Sequence, residues 1–237
     1  MKKTGAFLAI LVIVISMTLL FGCAKDNTPS VVPVPSSTPQ IQDAASSALP
    51  DAGRNSKDEL TPVSGEVVIA FDYAKQSGYA SNQYAVWIED TDGRLIKTLY
   101  ATRYTANGGY QDRPDSIPAW VEKSGLAEMA KTEIDAITGA TPKAGSLAYT
   151  WDLTDLHGNI VKPGEYNFFV EGSLRWKNRV IYCASMEIGN LPVTVEADAE
   201  YFFEAGNNQP ALSKDSPESA MIGTVTAHFI PIKNNAL

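Results

Sequence analysis

The sequence predicts an all-β fold, an antiparallel β-sandwich of about seven strands carrying one partly helical insertion. Two observations carry this. Alternation of apolar and polar residues recurs in short runs, "EVVIAFDY", "QYAVWIED", "LIKTLYATR", "YNFFVEG", "RVIYCASMEI", "PVTVEADA" and "IGTVTAHFIP"; a period of two puts every second side chain on one buried face. Turn-forming clusters separate the runs, and the spacing suits a sandwich.

Before the first strand, Lys2 and Lys3 precede an uncharged apolar run from Ala6 to Phe21. This is the pattern of a secretory signal, assigned here to residues 1–22. The run ends in "LLFGC", which resembles the lipobox of bacterial lipoproteins. That resemblance implies cleavage before Cys23, a lipid on its sulfur and attachment to a membrane; an uncleaved anchor is the alternative. Residues 23–62 are rich in Pro, Ser, Ala and Asp and hold no aromatic residue. Such a segment buries too little apolar surface to offset its ordering entropy and is expected to be a flexible stalk. A folded domain over residues 63–237 is long enough to build a core of its own.

Charge and cysteine content exclude several functions. The net charge is −8, and it becomes more negative once Lys2 and Lys3 leave with the signal, so nucleic acid is not an expected partner. The cysteines are Cys23 and Cys183. With Cys23 lipidated, Cys183 is expected to be a buried, inert thiol, and the fold not to depend on a disulfide. His157 and His228 have no partners at zinc-ligand spacing,. No G-x-S-x-G elbow or P-loop occurs,. The acidic turns are explained by turn formation without a metal.

Within the domain, "DTDG" at Asp90–Gly93 predicts a hairpin between the second and third strands,. Residues 103–150 then form the insertion. It contains one helix near "SIPAWVEKSGLAEMAK", with Ser116 as a cap, Pro118 in the first turn and Trp120 near the start, and with Gly125 as an interruption. The stretch "WDLTDLHGNIVKPGEYNFFVEG" follows. Trp151 is expected in the core, Asp155–Gly158 in a turn, Pro163 and Gly164 at the centre of a type II turn, and Tyr166 at the start of the return strand. Trp87, Trp151 and Trp176 are all assigned to core or inter-sheet packing. The Trp151–Gly172 pattern resembles the Ig-like domain of the flagellar hook-capping protein, which makes the expected sandwich Ig-like. The combination, from Glu66 onward, of an N-terminal strand pair, "RPDSIPAWVEKSGL", "DAITGATPKAG" and the "WD" hairpin looks like a family of predicted periplasmic proteins of unknown function, which implies export and an Ig-like fold and no particular activity.

One loop carries chemistry. In "DAITGATPKAG", Asp135, Thr138, Gly139, Ala140 and Thr141 spell D-x-x-T-G-A-T. This resembles the motif at which an FMN transferase, using FAD and magnesium, esterifies the FMN phosphate to the last hydroxyl residue of extracytoplasmic redox domains. The resemblance implies covalent FMN on Thr141. Gly139 and Ala140 would leave room for the transferase, while Asp135 and Thr138 would fix the loop through local hydrogen bonds. Trp120 and Tyr110, with Tyr104, are the expected stacking surfaces for the flavin, and Arg103, Arg113 or Lys143 would balance the phosphate. The expected function is a membrane-anchored electron carrier whose partners are the transferase and extracytoplasmic redox proteins. A non-enzymatic Ig-like binding or assembly module of the cell envelope is the alternative, and carbohydrate binding, suggested by the aromatic residues alone, is a third reading. Without the resemblance, "TGATPKAG" reads as a surface turn leading to the strand that ends at Trp151.

Overall fold

A computed structural model describes residues 63–206 and 208–232. The signal segment, Cys23 and the expected stalk lie outside the described residues. The fold is an all-β sandwich of two sheets with a helical insertion laid on one of them. Its strands are β1 (Gly65–Tyr73), β2 (Gln83–Asp90), β3 (Leu95–Thr102), β4 (Thr138–Gly139), β5 (Gly145–Trp151), β6 (Gly164–Arg175), β7 (Asn178–Ile188), β8 (Val193–Glu196), β9 (Asp198–Phe202) and β10 (Thr226–Pro231). One sheet has the order β5-β1-β10-β8 and the other β4-β3-β2-β6-β7-β9. Neighbours are antiparallel except for β3 and β4.

Ten strands replace the expected seven or so, for two reasons. The run "PVTVEADA" is not one strand: β8 pairs with β10 in the smaller sheet, whereas β9 pairs with β7 in the larger. Buried Ala197 forms the corner, its N–H bonded to the Val225 carbonyl at 2.9 Å. The stretch expected as insertion up to residue 150 also ends in β4 and β5, which belong to the sheets.

The main core lies between the sheets. Val67, Ile69, Phe71 and Tyr73 of β1 face Tyr84, Val86 and Ile88 of β2, Phe168 and Val170 of β6, and Val180 and Tyr182 of β7. Each such side chain contributes about 1.5–3 kcal/mol through the apolar area it removes from water. Trp151 seals one end, donating its indole N–H to the Thr154 carbonyl at 2.8 Å and meeting Tyr166 edge to face at 5.3 Å. The turn after it forms as expected, with the Asp155 carboxylate accepting the N–H groups of His157 and Asn159 at 2.8 and 2.9 Å. Gly164 is already the first residue of β6, paired with Ile188, so the expected type II turn centre is corrected. The expected hairpin at Asp90–Gly93 is present, held by the Asp90 carboxylate and the N–H groups of Asp92 and Arg94.

The larger sheet is buried on both faces, which explains why β2 is buried along nearly its whole length,. Its outer face presents Ala85, Trp87, Ala101, Phe169 and Ile181, and the insertion covers them with Ala106, Ile117, Trp120 and Leu126. Trp87 stacks on Phe169 with ring centres 5.0 Å apart. The insertion contains two short helices, Pro118–Ser124 and Lys131–Ile137. Gly125, with φ of +62°, ends the first one, as its sequence position implied,.

Ser116 does not cap that helix. Its hydroxyl pairs with Thr105 at 2.6 Å, and the preceding residue of the helix is Ile117, held at φ +44°. The cap comes from across the sheet. Glu171 of β6 is 0% exposed, and its carboxylate accepts the Ala119 and Trp120 N–H groups at 3.3 and 2.9 Å and pairs with Arg179 at 3.0 Å. Burial pushes the Glu171 carboxyl above its ordinary value, while Arg179 and the two N–H groups pull it back,. A second buried acid, Glu89, accepts the Trp87 indole N–H at 2.7 Å and binds Lys123 at 3.1 Å, tying down the far end of the same helix.

Glu171→Ala leaves two helix N–H groups and the Arg179 guanidinium without their shared acceptor, and it is expected to cost about 3–5 kcal/mol in urea denaturation. A cost near zero would mean that the insertion does not depend on this carboxylate.

Candidate functional site at one end of the sandwich

The strand register brings several loops to one end of the molecule. β3 and β4 run parallel with Thr102 opposite Gly139, so Arg103 and Ala140 leave the larger sheet in the same direction. Tyr73 lies opposite Gly145 and Gln83 opposite Ser173, which places the 74–82 loop and the β6–β7 hairpin at that end as well. The D-x-x-T-G-A-T segment crosses this end. Asp135 sits on the Lys131–Ile137 helix, Thr138 and Gly139 form β4, and residues 140–144 pass from the edge of one sheet to the edge of the other. The reading of "TGATPKAG" as a turn leading to the strand of Trp151 therefore holds as a description of the backbone.

Thr141 is half-buried, and its hydroxyl makes no hydrogen bond among the described residues. Asp135 is exposed and Thr138 half-buried, and their side chains make no hydrogen bond there either, so neither fixes the loop as expected. The residue that does so is Tyr100 of β3, whose hydroxyl donates to the Ala140 carbonyl at 3.0 Å and lies 3.4 Å from that of Gly139. Gly139 is small for the same reason: a Cβ there would sit 2.6 Å from a carbon of the Tyr100 ring. Tyr100 was not singled out from sequence, because its partners lie about 40 residues away and no local pattern signals them,.

Tyr100 belongs to a cluster of tyrosines between the sheets. Tyr84 stacks on it at 4.9 Å, Tyr149 of β5 lies 5.1 Å away, and the Tyr84 and Tyr149 hydroxyls pair at 2.5 Å. Tyr73 packs on Tyr84 at 5.4 Å and donates to Asn82 Oδ1 at 2.9 Å. Burial pushes the Tyr149 hydroxyl up to about 12 and those of Tyr84 and Tyr73 higher still,.

The structure separates the expected aromatic residues. Trp120 is 0% exposed on the outer face of the larger sheet, its indole N–H bonded to Thr98 Oγ1 at 3.2 Å, and it offers no surface to a ligand. Tyr110 packs against the same cluster. Tyr104, two residues beyond the end of β3, is 45% exposed. It lies over Gly109, where a Cβ would come within 2.7 Å of two ring carbons, so one ring face is packed on backbone. Of the expected cations, Arg103 and Lys143 are exposed. Arg113 is turned inward, donating to the Ala80 carbonyl at 2.5 Å, and its buried Nε finds no partner among the described residues.

Two further expectations change. Trp176 is not in the core: it occupies the β6–β7 turn at φ +49°, with its ring 5.6 Å from that of Tyr79, which is 82% exposed. Cys183 is half-buried on β7, where a fully buried thiol was expected. Cys23, the expected lipid site, lies outside the described residues. His157 is exposed in its turn, and His228 bonds Thr194 on the outer face of the smaller sheet. An open groove of about 670 Å³, lined by Tyr182, Tyr201, Lys214 and Asp215 among others, lies on the β8–β9 side, across the sandwich from Thr141.

Residues 65–203, more than half of the chain, match the family described as predicted periplasmic protein (DUF2271), and the chain belongs to that family. No curated protein and no solved structure matches it. Among the described residues no helix is long and apolar enough to cross a membrane.

The tyrosine cluster sets an alkaline limit on stability. Below the ordinary tyrosine value of 10.0 the hydroxyls are neutral in folded and unfolded chains alike. As pH rises past it the unfolded chain ionises first, and stability is lost through about 12 for Tyr149,. Ultraviolet absorbance should show these tyrosinates forming together with the loss of circular dichroism; their complete ionisation in a still-folded chain would contradict the packing described.

Proposed function

We propose that this member of the predicted periplasmic family is an extracytoplasmic electron carrier holding FMN by a phosphoester on Thr141. The observation that supports the reading is the half-exposed Thr141 hydroxyl, free of hydrogen bonds among the described residues, at the last position of D-x-x-T-G-A-T. In the transfer, the Thr141 oxygen would attack the FMN phosphorus of FAD, its proton would pass to a base of the transferase, and the anhydride bond would break with departure of AMP. Arg103 and Lys143, both exposed at this end, would balance the phosphate charge,. Tyr104, in place of Trp120 and Tyr110, would provide the stacking surface,. The bound flavin would supply the electron transfer, and the sandwich would give it a fixed mounting.

A lipid on Cys23 would tether the carrier to the membrane.

A binding or assembly module is the second reading. It is favoured by the exposed Tyr79 beside Trp176, since Trp and Tyr at loop tips are common anchors of interfaces,.

Co-expression with an FMN transferase is expected to add about 438 Da, one FMN less water, and to leave yellow fluorescence on the denatured chain. Thr141→Val should remove both while changing stability by less than about 0.5 kcal/mol. A wild-type chain that stays colourless and unmodified overturns the electron-carrier reading. In labelled protein, Tyr104→Ala should raise the fluorescence per flavin by removing a stacked ring; unchanged emission would mean that the flavin does not lie on Tyr104.

A further inference from the structure

We infer that Tyr100 is a positioning residue for the modification of Thr141: it holds the acceptor loop in the form that the transferase meets. The inference rests on the attachment proposed above and adds to it a residue outside the D-x-x-T-G-A-T segment.

Nothing within the segment fixes it. Asp135 and Thr138 make no side-chain hydrogen bond among the described residues, and β4 contributes only two residues of pairing to β3. Residues 140–144 then run from one sheet to the other. A loop anchored so lightly would spend much of its time in conformations unsuited to a second protein's active site, and each would lower the fraction competent to react. Tyr100 supplies the missing anchor at the residue just before Thr141. Its hydroxyl donates to the Ala140 carbonyl at 3.0 Å, and its ring fills the space left by the absent side chain of Gly139. The ring itself cannot shift easily, because Tyr84 stacks on it and Tyr149 lies 5.1 Å away. The small residue at position 139 therefore has a role beyond access for the transferase: it accepts the tyrosine that holds the loop.

The geometry separates the residues by role. Tyr100 touches the loop, whereas Tyr149 supports Tyr100 through ring contact and through its hydrogen bond to Tyr84, with no hydrogen bond to the loop itself. Loss of the Tyr100 hydroxyl should loosen residues 138–144 with the core intact. Loss of the Tyr149 hydroxyl should weaken the core and leave the Ala140 contact in place.

The test compares wild type, Tyr100→Phe, Tyr149→Phe and Gly139→Ala as substrates of an FMN transferase supplied with FAD and magnesium, with labelling followed by mass. Tyr100→Phe is expected to be labelled roughly fivefold more slowly, the worth of one neutral hydrogen bond. Tyr149→Phe should be labelled at the wild-type rate, and Gly139→Ala should be slowed through displacement of the ring or the loop. Amide hydrogen exchange should rise in residues 138–144 of Tyr100→Phe while β1 and β7 keep their protection, a pattern that general destabilisation would not produce. Labelling of Tyr100→Phe at the wild-type rate overturns the inference and leaves the attachment standing. Equal slowing of Tyr100→Phe and Tyr149→Phe also overturns it, by assigning the effect to core stability. An unlabelled wild type overturns the attachment and this inference together.

Discussion

The arrangement of the molecule depends on one buried carboxylate. Glu171 points from β6 to the outer side of the larger sheet, where the first two free N–H groups of the Pro118–Ser124 helix meet it. Without that acceptor the helix would have to find another cap, since Ile117 ahead of it has no polar side chain and sits in a left-handed conformation,. The insertion could then not lie flat on Trp87, Phe169 and Ile181, and the face of the sheet that makes the domain three layers thick would be open to water. Arg179, which pairs with Glu171, also lies over the Phe202 ring at 4.0 Å, so the same ion pair reaches β9 at the sheet edge,.

Placement of the insertion in turn places the loop that carries Thr141. The chain leaves β3 at Thr102, covers the sheet and comes back beside the strand it left, since β4 pairs with the end of β3. The loop after β4 is therefore anchored to the sandwich at both ends, and the Tyr100 side chain meets it at its first residue, Ala140. The electron-carrier reading gains from this geometry a hydroxyl on a short, supported crossing, where a cofactor would be presented without a deep pocket. On that reading the ring that would meet the flavin is the exposed one, Tyr104, since Trp120 is fully buried in the packing of the insertion.

Much of this fold was legible in the sequence, and the failures have physical causes. The apolar runs match β1, β2, β3 and β7 nearly to their ends, whereas β6 extends two residues before and three beyond its run and β10 begins four residues after the start of its run; β2 and β6 are buried on both faces, so burial there does not alternate. β8 and β9 looked like a single strand because alternation continues through Ala197, and a switch between sheets does not break a period of two. The Lys131–Ile137 helix has no clear signature: only Ile134 and Ile137 pack on the outer core, both half-buried, and two such residues in seven do not mark a helical period,. Trp176 was placed in the core by residue type, but a hairpin turn puts it at the surface. At the candidate site the motif was readable because it is local. Tyr100 was not, because what ties it to Ala140 is a strand pairing formed only in the folded chain.

The two places where the chain changes sheets have a mechanical consequence. On one flank residues 140–144 join β4 to β5, and on the opposite flank Ala197 alone joins β8 to β9, in each case linking the outermost strands of both sheets. A sandwich stitched along both seams resists being pried apart like a book. A force drawing the two sheets apart would be shared by covalent bonds on both margins, and a group carried on one seam would keep its bearing relative to the whole body.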